Sequence, residues 1–351
     1  MKKLFFIIIF MLDLFANNNG IVFYNSFDIN ETNTTQTQQK NDFIFLNPKY
    51  NTSILKDSFK SIKPKLNIAV IINKKILKKY LPSLINSINA YLLNKNISYN
   101  LKIFDQSSIN KALEKYKNII IYSVDINKTI VKENKNINFY FPAINKNDIN
   151  FTANNAYFGG IDYQNQIEQL SSFITDNKVI AITSNKLISQ KLLSKEKEKF
   201  IVKTMQYPDI NYYELSNKFI FFNTSAQKTA QILSSISNKN IITKLNLSTQ
   251  IDFDPLLISL TQPQDVQKLI IANSILHTPP LLEDFNQILN SDIKFNWLNY
   301  STNILLNKIY NICTNGDEFY MNDFDIYIFN NQINYKTKIY QIIQNSFREI
   351  Y

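Results

Sequence analysis

Short apolar runs alternate with stretches of helical spacing along most of the chain, and the alternation predicts an α/β fold. Residues 67–72, NIAVII, form a continuous apolar run of strand length, the pattern of a strand buried on both faces. Leu77, Leu81, Leu84, Ile88 and Tyr91 follow at three- and four-residue spacing and share one helix face. Pro82 interrupts that stretch, so the stable helix is expected to begin near it, where proline is tolerated. Residues 98–105 alternate as a second strand, 107–116 read as a serine-capped helix, and 118–124 as a third strand. The rhythm then restarts. Ile167, Leu170 and Ile174 line a helix, 178–184 a strand, 186–198 a lysine-rich helix, and 200–207 and 218–225 two strands. Ala226, Ala230, Leu233 and Ile236 mark another helix, and 240–248 another strand. Strands separated by helices need crossover connections, which favour parallel sheets. Two successive α/β units are therefore expected.

Between the units stands YFGGIDY, residues 157–163. The chain has four glycines in 351 residues, and two of them are adjacent here. A phosphate-cradling loop would need further glycines at set spacing and a lysine beside them, and neither is present. Glycine also permits positive φ and close backbone approach, which suits a strand crossing from one lobe to another. Gly159 and Gly160 are read as that crossing and as a hinge. The expected organisation is a signal over 1–16, a polar tether over 17–63, a first lobe over 64–156, a second over 157–267, and a return segment over 268–351 that completes both.

A resemblance supports this reading. Residues 157–193 resemble the crossover, helix, strand, loop and helix that open the second lobe of type I periplasmic binding proteins. Residues 68–105 resemble that family's first strand, first helix and second strand, and 268–275 resemble the start of its return. The resemblance covers about three quarters of the chain and is one of element order. It implies two lobes, each a parallel β-sheet flanked by helices, with a binding cleft between them and no catalysis. The transport members' amino-acid-binding residues have no aligned counterparts here.

Composition narrows the setting. Lys2 and Lys3 precede the apolar run 4–12, and Ala16 offers a small residue for cleavage, the form of a secretory signal. That run is shorter than the ~20 residues a membrane span needs, and no transmembrane segment is expected in the mature chain. A periplasmic protein is expected, with retention of the segment as an anchor as the alternative. Cys313 is the single cysteine, so neither an internal disulfide nor a cysteine metal cage can form. No metal and no cofactor are expected. The net charge of +10 rests on lysine, with Arg348 the sole arginine. Base and phosphate readout lean on arginine's planar fork, so nucleic acid is not an expected partner.

Ligands of open parallel sheets sit beyond the carboxyl ends of the strands. By that rule the candidate cleft residues are Asn73, Ser123, Asp125, Ser184, Asn185, Asn223, Thr224 and Ser225, whose hydroxyls and amides suit a polar ligand; turn and cap chemistry is the plain alternative. His277, the only histidine, precedes two prolines and reads as a loop residue, so an envelope hydrolase built on it is disfavoured. The acidic pairs Asp252/Asp254, Glu283/Asp284 and Asp323/Asp325 read as solvated turns and helix starts rather than calcium loops. Trp297 and Tyr300 read as core. Asn30, Asn127 and Asn150 each have aspartate two places before and threonine two places after, resembling a bacterial N-glycosylation acceptor. The functional expectation is a non-catalytic envelope protein that binds a protein or cell-wall component. The alternative is a periplasmic receptor for a small polar solute such as an amino acid.

Overall fold

The structure is a computed structural model that describes Val22–Tyr24 and residues 65–350, save 74–76, 78–79, 124–125 and 150. The expected signal over 1–16, most of the tether with Asn30, and Asp125 and Asn150 lie outside the described residues.

The first unit is built from β1 (Val22–Tyr24), β2 (Lys65–Ile72), α1 (Leu81–Asn94), β3 (Ser98–Asp105), α2 (Ile109–Leu113), β4 (Asn118–Tyr122), α3 (Lys128–Glu133), β5 (Asn138–Phe141) and β6 (Ala156–Phe158). In β2 the residues from Ile68 to Ile72 are buried on both faces, as a continuous apolar run requires. The helix expected to begin near Pro82 starts, as α1, at Leu81 with Pro82 in its first turn. β3, β2, β4, β5 and β6 are mutually parallel in that order. β1, within the segment expected to be a tether, lies antiparallel along the outer edge of β3.

The second unit comprises α4 (Tyr163–Ser171), β7 (Lys178–Thr183), α5 (Leu187–Lys197), β8 (Ile201–Gln206), β9 (Phe219–Phe222), α6 (Ala226–Asn238), β10 (Leu245–Ser248), α7 (Pro255–Leu260) and β11 (Leu269–Asn273). Its parallel strands run β8-β7-β9-β10-β11. Counted from the start of each unit, both sheets have the order 2-1-3-4-5 of doubly wound folds. Each therefore has a switch point beside its first strand, between β2 and β4 and between β7 and β9. The strand predicted over 240–248 shortens to β10 because Asn240 and Ile241 close α6, Ile241 N–H bonding the Ile236 carbonyl at 3.0 Å.

β11, placed by sequence in the return segment, belongs to the second sheet; the passage back follows it at residues 274–279. The chain then adds α8 (Pro280–Ile288) and α9 (Trp297–Thr314), both packed on α1 in the first lobe. The strands β12 (Tyr320–Met321), β13 (Ile326–Phe329) and β14 (Gln332–Ile333) extend the first sheet beyond β6. A third passage leads to β15 (Lys338–Ile343) and β16 (Ser346–Glu349), an antiparallel hairpin on the free edge of β11.

α9 carries buried Asn299, Asn303, Asn307 and Asn311 at four-residue spacing on one face. Three of them meet a matching stripe on α1. Asn299 donates to the Ser83 hydroxyl at 3.1 Å, Asn303 to Ser87 at 2.8 Å and Asn307 to Tyr91 at 2.9 Å. The helix pair is thus joined by apolar contacts flanking a polar seam in which the amide nitrogens donate, while Asn303 Oδ1 and Asn307 Oδ1 have no partner.

Among the described residues, the left-handed backbone positions fall to Asn96, Asn217, Asn240, Asn290, Asn315, Asn330, Asn331 and Asn345, with Asp325 and Gln344, and none to glycine. Asparagine tolerates this region because its short side chain hydrogen-bonds locally.

Candidate functional site

The lobes are joined by three passages: Gly159–Gly160 after β6, residues 274–279 after β11, and residues 334–337 after β14. The glycine pair has ordinary φ, so positive φ is not its reason. Space is. A Cβ on Gly160 would lie 2.3 Å from both the Asn145 nitrogen and the Ile144 carbonyl carbon, and one on Gly159 would lie 2.8 Å from the Ser301 hydroxyl. The Asn145 and Gln332 amides donate to the Gly160 carbonyl at 2.9 and 3.1 Å, and the Tyr335 hydroxyl to the Gly159 carbonyl at 2.7 Å. The pair is a pinned crossing, closely wrapped by the first lobe.

At the switch point of the first sheet, Asn73 and Ser123 are partly exposed, and the Asn73 amide donates to the Gln106 side chain at 3.3 Å. In the second lobe the candidates divide. Asn185 is exposed, accepting from Gln206 at 3.0 Å, and Ser225 is partly exposed at the start of α6. Ser184, Asn223 and Thr224 are instead buried. Asn223 donates to Glu196 at 2.9 Å, the Thr224 and Thr229 hydroxyls pair at 2.7 Å, and Ser184 N–H bonds Ser189 at 2.8 Å. Gln250, which sequence reasoning missed, is buried beyond β10, where its Oε1 accepts from Gln166 at 3.1 Å and from Ser274 N–H at 3.0 Å. Several atoms here stay without a partner: the Ser184 and Thr249 hydroxyls, Asn223 Oδ1 and Gln250 Nε2, all beyond the carboxyl ends of β7, β9 and β10.

A clasp crosses the junction. Asp148, between β5 and β6 in the first lobe, pairs with Lys191 at 2.5 Å and Lys195 at 2.8 Å, one turn apart on α5 of the second. Burial pushes the Asp148 carboxyl up, but the two ammonium groups outweigh it and hold it below the usual carboxylate range.

No family model and no curated protein matches this sequence. Solved structures do. A leucine-binding protein from Thermotoga maritima shares 14% identity at a TM-score of 0.55, over 82% of this chain and 98% of its own. A branched-chain amino acid ABC transporter protein from Thermus thermophilus with bound valine shares 11% at 0.58, over 82% and 95%. A solute-binding protein of an ABC transporter from Rhodopseudomonas palustris, in complex with p-hydroxybenzoic acid, shares 10% at 0.58, over 82% and 96%. This chain has the type I periplasmic binding protein fold.

Within the binding-protein fold two carboxyl groups are fully buried in the second lobe. Burial pushes Glu196 up to about 8, against the opposing hydrogen bond from Asn223. Burial likewise pushes Asp252 up to about 8; hydroxyls of Ser248 and Thr229 oppose it, and the nearby Asp254 charge adds to it. Asp252 therefore corrects the expectation of a solvated turn: it follows β10 directly and folds back under the sheet, 2.8 Å from Ser248. Asp254 does cap a helix, accepting from Leu256 N–H at 2.8 Å. Asp323 pairs with Lys95 at 2.5 Å. His277 is exposed in the second passage, whose backbone at Leu276 and His277 hydrogen-bonds the buried Tyr300 hydroxyl. Trp297 packs partly buried against the core, as expected. Asn127 is exposed, and its side chain caps α3 by accepting from Ile130 N–H at 3.2 Å. No helix among the described residues is long and apolar enough to cross a membrane.

Proposed function

We propose that the protein is an exported, non-catalytic receptor for a small polar solute of the amino-acid class, held between the lobes at their switch points. The carrying observation is the group of unpartnered atoms on Ser184, Thr249 and Gln250 beyond β7 and β10. Buried polar atoms without partners are few in native structures, and each calls for an explanation. A solute bearing both donors and acceptors supplies one. The neighbours of the same fold, described as binding leucine, valine or p-hydroxybenzoic acid, favour this reading over an envelope scaffold. The scaffold reading rests on the lack of recognisable amino-acid-binding residues, the long polar tether and the lysine-rich exterior, and the unpartnered atoms at the strand ends weigh against it.

The test uses mature protein released from the periplasm, with its N-terminal peptide sequenced to show cleavage. Thermal unfolding is followed with amino acids and small aromatic acids. A true ligand at ~100 times its dissociation constant stabilises the fold by ~2.7 kcal/mol. Thr249→Val is expected to weaken the same ligand's effect. No shift with any small solute, together with a co-purifying envelope protein, would reject the receptor.

Solute capture in a two-lobed protein needs closure, and the Asp148 clasp favours the closed arrangement. Asp148→Asn is expected to shift the balance towards open by ~1–2 kcal/mol, a factor of roughly 5–30. Small-angle scattering should show a larger radius of gyration for the variant, and the wild type should approach it in high salt. Identical scattering curves at all salt concentrations would remove the clasp from the closure argument.

A further inference from the structure

A cavity lies away from the switch points, beside the passage from β11 to α8 and against the β15–β16 hairpin. Its volume is about 470 Å³, within the ~300–1,000 Å³ usual for small-molecule sites. Three rings form its apolar wall. Phe253 lies 4.3 Å from Phe347 and 5.5 Å from Phe295, and Phe295 lies 6.1 Å from Phe347, centroid to centroid. Offset rings at this spacing present faces and edges to a flat apolar body.

The polar side is different in kind. Lys294 and Thr278 stand there with Ser346. The Lys294 ammonium is 3.7 Å from Glu283, beyond hydrogen-bond length, while the other Glu283 oxygen takes the Thr278 hydroxyl. The lysine therefore keeps donors for an incoming group. The switch points offer uncharged hydroxyls and amides; this cavity offers ring faces and a cation. Lys294 and Phe295 lead into α9 of the first lobe, whereas Phe253 and Phe347 belong to the second, so an occupant touches both.

We infer that this cavity is an accessory binding site for a small apolar carboxylate, its ring or branched chain against Phe253, Phe295 and Phe347 and its carboxylate on Lys294. The inference stands independently of the solute proposed for the switch points. Phenylacetate and its neutral amide, phenylacetamide, are the probes, followed by ligand-observed NMR and by fluorescence of Trp297, two residues after Phe295 in sequence. Phenylacetate is expected to bind at about 0.1–1 mM, as its few non-hydrogen atoms allow. Lys294→Gln should weaken phenylacetate roughly fivefold or more and leave phenylacetamide unchanged. Phe347→Ala should weaken both probes; Ser346→Trp, a rim change that fills the cavity without emptying the core, should block both with circular dichroism unaltered. Phenylacetate binding that is absent, that survives Ser346→Trp, or that ignores Lys294→Gln overturns the inference.

Discussion

Gly160→Ala is expected to lower stability by about 3 kcal/mol, the upper end for inserting bulk into a packed site. The added Cβ would stand 2.3 Å from two backbone atoms of the 142–145 loop, and backbone cannot rotate away as a side chain can. The midpoint of thermal unfolding should fall by roughly 6–12 °C, taking ~2–4 °C per kcal/mol for folding units of this size. Gly159→Ala should cost less, because its nearest neighbour is the movable Ser301 hydroxyl. Gly316→Ala provides the control: its Cβ would meet nothing closer than 3.4 Å, and the change should be close to neutral. Equal midpoints for the Gly160 and Gly316 variants would refute the pinned-crossing account.

The second large effect is a loss of stability between pH 5 and 8. Glu196 and Asp252 ionise near 8 when folded, against ordinary values of 4.5 and 3.8. For an acid whose folded value is raised, the folded state holds the proton longer than the unfolded chain. Its stabilising contribution is complete below the unfolded value and declines as pH rises, until it is gone above the folded one. The slope limit is ~1.4 kcal/mol per pH unit for each group; relaxation and water entry leave about 2 kcal/mol per group across the window. The double variant Glu196→Gln, Asp252→Asn should be flatter in this range and more stable than wild type at pH 8. The amide at 196 can still accept from Asn223 and can donate to its free Oδ1. Asp148 acts oppositely: its lowered carboxyl contributes stability at neutral pH that is lost as pH falls below the ordinary carboxylate value. Urea unfolding at pH 5, 6.5 and 8 measures the buried acids, and a further point at about pH 3 measures Asp148. A wild type whose stability is constant or rises over that range contradicts the buried-acid assignment.

The strands easiest to read from sequence are those whose burial is two-sided, although the alternating β3 and the largely exposed β8 are legible too. β2, β4, β7 and β9 have no polar face, so their apolar runs are unbroken and local pattern is enough to find them. β12, β13 and β14 are two to four residues long, and the outward side chains of β13, Tyr327 and Phe329, are exposed aromatics. Strands that short are specified by their sheet partners, and alternation over so few residues carries little signal. α9 escaped for another reason. A third of its buried residues are asparagine, and Ser83, Ser87 and Tyr91 receive three of those amides from a helix more than two hundred residues earlier. The strand-end rule located the switch-point candidates. It could not tell Asn185, which faces solvent, from Asn223, turned inward by a carboxyl that distant chain folding delivers. Asp252 shows the same limit: beside Asp254 it reads as half of a solvated pair, and only the turn after β10 separates their fates.

The division of labour between asparagine and glycine has an evolutionary side. Asparagine at the left-handed turns avoids the extra freedom that glycine gives an unfolded chain, so exchanging one for the other there changes little in stability. Those positions are free to drift with the base composition of the genome that encodes them. Gly159 and Gly160 are not, because what they supply is the absence of an atom. In a lineage moving towards adenine and thymine, turn glycines can be exchanged for asparagine one by one while such a pair persists. Glycine at 159 and 160 thus marks where two stretches of backbone touch, and not where the chain turns.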